Sequence, residues 1–148
     1  MKLKRRTHKM KTLGLIVTVL LVAFAFTDVK ANSGGTYSAR LISPTAGQVL
    51  YPGEQVRVQW EPTFPDMKNL HLCEMEIVLS LDGGRTFSVW ITTGINPNSR
   101  YYDWTVPNTP TTAAVLDIRF GCELYYPESH SPQPASTFVI AQTAPQVH

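Results

Sequence analysis

The segment Ser80-Leu81-Asp82-Gly83-Gly84-Arg85-Thr86-Phe87 has the residue types and spacing for a specific local task. An aspartate at a turn accepts backbone N–H bonds, and two glycines take positive φ angles without a steric penalty. The aromatic then packs beneath the hairpin. That chemistry is structural, so Ser80, Asp82, Gly83, Gly84, Thr86 and Phe87 are expected to build a turn. Glu74 and Glu76 lie two apart on a strand, hence on one face, and paired carboxylates suit glycoside hydrolysis. On an antiparallel sheet the same pattern more often marks the wet face. His71, His130 and His148 are scattered, and no serine or cysteine sits in a nucleophile motif. HExxH, P-loop and GxSxG patterns do not occur. No catalytic residue, metal site or cofactor is assigned. Aromatic residues are too many for one small core, and Trp90, Tyr125 and Tyr126 are the candidates for stacking on a sugar or anchoring a protein.

The elements that must position these side chains have a period of two almost throughout. Ala39–Ser43 is a short strand ended by Pro44. Glu54–Glu61 alternates, with Val56, Val58 and Trp60 on one side. Pro62 and Pro65 point to a loop, because proline cannot donate into a ladder. Leu72–Ser80 places Cys73, Met75, Ile77 and Leu79 on one face. Asp82-Gly83-Gly84 turns the chain, and Thr86–Thr92 returns from it. Tyr101–Val106 follows, then Val115–Glu123 with Leu116, Ile118, Phe120 and Cys122 on one face. A Pro-rich loop over Pro127–Pro134 leads to the last strand, Ser136–Ala141. Seven to eight short strands with turn signals at this spacing predict an all-β fold, an antiparallel two-sheet sandwich. No internal repeat points to a propeller or solenoid.

One register ties the strand at Cys73 to the strand at Cys122. If they are antiparallel neighbours whose paired numbers sum to 195, Cys73 meets Cys122, Met75 meets Phe120, Ile77 meets Ile118 and Leu79 meets Leu116. Glu76 then meets Arg119 on the other face, an opposite-charge pair that alternation alone does not guarantee. A slip of one residue would turn charges into the core. A Cys73–Cys122 disulfide is expected in an oxidising compartment, the alternative being two buried thiols. Two cysteines without clustered histidines do not make a zinc site.

The compartment follows from the first residues. Lys2, Lys4, Arg5, Arg6, Lys9 and Lys11 precede an apolar or neutral run from Thr12 to Phe26, and Val29-Lys30-Ala31 offers a cleavage site before Asn32. The run is short for a bilayer span of about 20 residues, although an uncleaved anchor is the alternative. Residues 1–31 are thus a signal peptide, 32–37 a flexible lead-in, 38–141 the sandwich and 142–148 a tail. The expected location is secreted or periplasmic, with no membrane span after cleavage. The whole chain carries 13 Lys+Arg, 11 Asp+Glu and a formal net charge of +2. Seven bases and one acid lie at or before Ala31, so the remainder is acidic, at about −4. That excludes the basic footprint of a nucleic-acid binder.

Ser43–Pro62 (SPTAGQVLYPGEQVRVQWEP), Leu79–Ile91 (LSLDGGRTFSVWI) and YYDWTVPN followed by VLDIRF carry a resemblance. In this order they resemble an Ig-like or fibronectin III-like module of bacterial exported proteins. They are also similar to the N-terminal domain of the Ser/Thr-rich GPI-anchored cell-wall family. The resemblance covers most of residues 40–140. Phe87 stands where the family has tryptophan, and no Ser/Thr-rich stalk or apolar tail follows, so no GPI anchor is implied. The family's core position three after that aromatic falls on Trp90, whereas alternation turns Trp90 away from Val89 and Ile91. Residues 80–87 also resemble an Asp-box, a hairpin repeated in sialidase propellers away from the catalytic centre. The reading is a non-enzymatic exported module with a binding or structural role at the cell envelope, its partner an unknown protein or glycan. A carbohydrate-binding module is the first alternative; a small secreted enzyme or inhibitor is the second.

Overall fold

The computed structural model describes residues 36–143. The signal segment 1–31, most of the lead-in and residues 144–148 of the tail lie outside them. Among the described residues there are nine strands, against the seven to eight expected: β1 (Ser38–Ser43), β2 (Val49–Leu50), β3 (Gln55–Thr63), β4 (Glu74–Ser80), β5 (Val89–Ile95), β6 (Tyr101–Thr105), β7 (Thr111–Cys122), β8 (Tyr126–Ser129) and β9 (Phe138–Ile140). Short 3-10 turns cover Leu70–Leu72 and Pro134–Ser136. One sheet has the order β1-β3-β6. The other runs β2-β9-β7-β4-β5, with β8 beside β7. The described residues are therefore all-β with two sheets, consistent with a sandwich. Leu41, Val56, Val58, Trp60 and Trp104 of the first sheet share one core with Met75, Ile77, Leu79, Leu116, Ile118, Phe120, Phe138 and Ile140 of the second. Trp104 meets Phe138 edge-on across that layer, with ring centroids 6.4 Å apart.

β4 and β7 pair in the register whose numbers sum to 195, from Glu74 opposite Gly121 to Ser80 opposite Val115. Every alternate pair from Met75–Phe120 to Leu79–Leu116 is buried, which is why a one-residue slip is not tolerated. Other expectations shift for identifiable reasons. The return strand begins at Val89 and not at Thr86, because Asp82 takes the backbone N–H groups of Arg85 and Thr86. β3 runs through Pro62 to Thr63. Pro62 faces Ala39, whose N–H goes to Ser131 Oγ, so this pair exchanges no ladder bonds and needs no proline N–H.

The Pro-rich segment read as a loop contains β8 and then keeps tracking β7. Ile118 N–H donates to Ser131 O at 3.2 Å and Gln133 N–H to Leu116 O at 2.8 Å. Side chains of the same segment reach the other sheet. Leu41 N–H donates to Gln133 Oε1 at 3.0 Å, and Gln133 Nε2 donates to Ala39 O at 2.8 Å. Ser131 and Gln133 thus do for β1 what a neighbouring strand would do. Tyr37, expected in a flexible lead-in, is buried. Its ring stacks on Phe120 at 5.1 Å and its hydroxyl donates to Ile118 O at 3.1 Å. Burial, and after it the Asp117 charge, pushes that phenol's pKa well above its ordinary value.

Candidate functional site

The turn after β4 has the geometry its residues imply. Asp82 Oδ1 accepts from Ser80 Oγ at 2.7 Å, from Thr86 N–H at 2.9 Å and from Arg85 N–H at 3.1 Å, while Oδ2 accepts from Thr86 Oγ1 at 2.8 Å. Ser80 Oγ in turn accepts from Gly84 N–H at 2.9 Å. Gly83 and Gly84 hold φ of 77° and 87°, and a Cβ on Gly84 would stand 3.7 Å from the Phe87 ring and 3.8 Å from Val115. These bonds, the Thr86 N–H first, pull the Asp82 carboxyl down to about 2. All four of these bonds stay within the hairpin, so the carboxylate serves the turn.

Cys73 and Cys122 are disulfide-bonded, with Cα atoms 4.2 Å apart. The bond ties the start of β4 to the end of β7. Beside it, Glu74, Glu76, Arg119, Glu123 and Glu128 line a cleft of about 290 Å³. Its charge is mostly negative. Burial, followed by the charges of Glu128 and Glu74, raises the Glu76 carboxyl above the usual range despite Arg119. The expected Glu76–Arg119 ion pair is not formed, although the two are opposite in register. Arg119 Nε bonds Asp117 Oδ2 and its Nη1 bonds Glu128 Oε1, both at 2.8 Å. The competitor wins because Asp117 is 1% exposed and a buried carboxylate must be compensated.

Asp117 is the residue that sequence reasoning missed. Besides Arg119, its carboxylate receives Ser131 N–H at 2.8 Å and stands 2.9 Å from His130 Nδ1. An aspartate that orients a histidine is half of an acid–base device. The other ring nitrogen, Nε2, has Glu128 Oε1 3.8 Å away, an oxygen that already accepts from Arg119 Nη1, and both cysteines are in the disulfide. The arrangement can fix an imidazole and brace the outer face of the sheet. The signal for it was Asp117-x-Arg119, a charge pair on one face of a strand. Among the described residues no cluster of His, Cys, Asp and Glu is placed to hold a metal ion.

The three candidate binding aromatics do not form one platform. Trp90 is 51% exposed on the outer face of β5, opposite Val78, and the Arg119 guanidinium lies over its ring at 5.1 Å from the centroid. Alternation placed it correctly; the position inferred from the resemblance did not. Tyr126 stands opposite Cys122, so it shares the core-facing side. Its ring packs on Phe120 at 5.5 Å. Tyr125 sits in the turn between β7 and β8, 54% exposed. The outer face of the smaller sheet is occupied by its own cross-strand pairs, Arg40–Glu61, Arg57–Asp103 and Gln55–Thr105. Comparison of the chain with protein-family models, with curated proteins and with solved structures returns no match.

Proposed function

We propose that this chain is a non-enzymatic Ig-like or fibronectin III-like module, exported to the cell surface or periplasm, that docks through the disulfide-tied end of its larger sheet. The strand orders support the fold type. β1-β3-β6 opposite β9-β7-β4-β5 matches the A-B-E and G-F-C grouping of such sandwiches, with β2 running parallel to β9 at the edge. The basic and apolar start of the chain and the disulfide support export. One observation carries the docking role. Leu72, Leu124 and Tyr125, half or more exposed, all belong to the end held by Cys73–Cys122. Large apolar side chains collected at one end mark an interaction surface where scattered ones do not.

A photo-crosslinking residue placed at Leu124 in exporting cells tests this. Adducts at Leu124 and none at Val49, an exposed apolar residue on the far edge strand, are the expected result. An absence of adducts at Leu124 sinks the docking role. A carbohydrate platform draws no support from Trp90 and Tyr126, which lie on opposite faces of one sheet.

A further inference from the structure

The end of the sandwich that carries Leu72, Leu124 and Tyr125 also has a definite charge. Leu72 closes the 3-10 turn just before Cys73, and Leu124 and Tyr125 follow Cys122 in the turn to β8. Leu124 is 83% and Leu72 53% exposed. Because the two cysteine Cα atoms are 4.2 Å apart, both turns are held side by side and cannot separate without breaking a covalent bond. Around them stand Glu74 and Glu123, both exposed, with Glu76 and Glu128 across the adjoining cleft. Arg119 is taken up by Asp117 and Glu128, and Lys68 lies four residues before Leu72 in the preceding loop. The apolar tip is therefore set in a carboxylate rim.

We infer that the partner of this end is a protein surface with an apolar pocket rimmed by lysine or arginine. The inference rests on the docking role proposed above and adds the chemistry of the partner. Leucine and tyrosine side chains supply the area to be buried, and carboxylates at a rim steer the encounter and select its sign. The same carboxylates argue against the two other occupants. An anionic lipid surface would repel them, and a second copy of this end would set like charges against each other.

The test uses the purified mature domain with its disulfide intact, titrated with two defined heptapeptides while its amide resonances are followed. One peptide alternates leucine with lysine; the other has glutamate in place of lysine. Shifts confined to residues 70–74 and 121–126, with the lysine peptide only, are expected. Apparent affinity should fall at least about tenfold in L124D/Y125D, and severalfold as salt rises from about 50 to about 300 mM and screens the rim. E74K/E123K should reverse the preference. Both sets of positions are exposed, so unchanged thermal melts are expected for these variants. Equal binding of the two peptides, no binding of either, shifts elsewhere, or no loss in L124D/Y125D overturns the inference. So does stronger binding to phosphatidylglycerol vesicles, or self-association through these residues. A peptide result of the wrong sign removes the basic partner alone, whereas missing adducts at Leu124 in cells remove the docking role as well.

Discussion

Asp82 and Asp117 are both aspartates with several hydrogen bonds, and they differ in how those bonds were assembled. Asp82 collects partners within four residues, so its role was legible in the string Ser-x-Asp-Gly-Gly-x-Thr. Its carboxyl is held at about 2, below the unfolded-state value of about 4. The anion is the form favoured by folding. Asp82 therefore contributes stability above about pH 4 and loses it as the pH falls towards 2. Thermal melts of the wild type and Asp82→Ala should differ by several degrees at pH 6, and the gap should narrow steadily as the pH falls from about 4 through about 2. A gap that is constant with pH would mean the carboxylate is not what holds the turn. Asp117 collects Arg119 from its own strand but His130 and Ser131 from a segment that returns over it later in the chain. Asp117→Ala leaves the Arg119 guanidinium and the Ser131 N–H short of a partner in a nearly dry site. A loss of about 3 kcal/mol in chemical denaturation is expected, the scale of breaking one side of a buried pair. A loss below about 1 kcal/mol would mean that water or Glu128 replaces the missing carboxylate.

Between elements, the pairing of β4 with β7 organises the larger sheet. Its register was readable because three apolar pairs and a cysteine pair agree on one alignment. The disulfide closes a separation of 49 residues. Chain entropy alone assigns such a crosslink about 4 kcal/mol, an upper figure because strain and residual structure subtract from it. Cys73→Ser with Cys122→Ser should lower stability by up to that amount in urea. Hydrogen exchange should rise first at residues 70–72 and 123–125, the two turns the bond holds together. Uniform acceleration across both sheets would place the effect in the unfolded chain only. The limits of β5 and the presence of β8 were not readable in the same way. The first depends on which N–H groups Asp82 captures, and the second on a β7 long enough to serve two partners along one edge.

For the whole molecule, the question is where it works. Among the described residues no helix is long and apolar enough to cross a membrane. The proposed export segment lies outside them, and its support is the order of basic run, apolar run and Val29-Lys30-Ala31. Material recovered from the exported fraction should begin at or near Asn32, as read by N-terminal sequencing or intact mass. A species that keeps Leu13–Phe26 would be an anchored protein. Its acidic domain would then face the envelope at the end of a tether.

Alternation with a period of two, turn residues at short intervals and the spacing of two cysteines determined from sequence that this chain is all-β, which strands carry the core and how β4 meets β7. Those features are local or pairwise, and a string of residues states them directly. The tertiary structure decided what needs three or more segments in one place. It buried Tyr37 against Phe120, turned Tyr126 inward opposite Cys122 and left Trp90 in solvent with Arg119 over its ring. It also drew Arg119 away from Glu76 to Asp117. Opposition across a strand pair fixes only where two backbones stand. The partner a guanidinium takes is set by which carboxylate has lost its water, and that depends on the segment folded over Asp117.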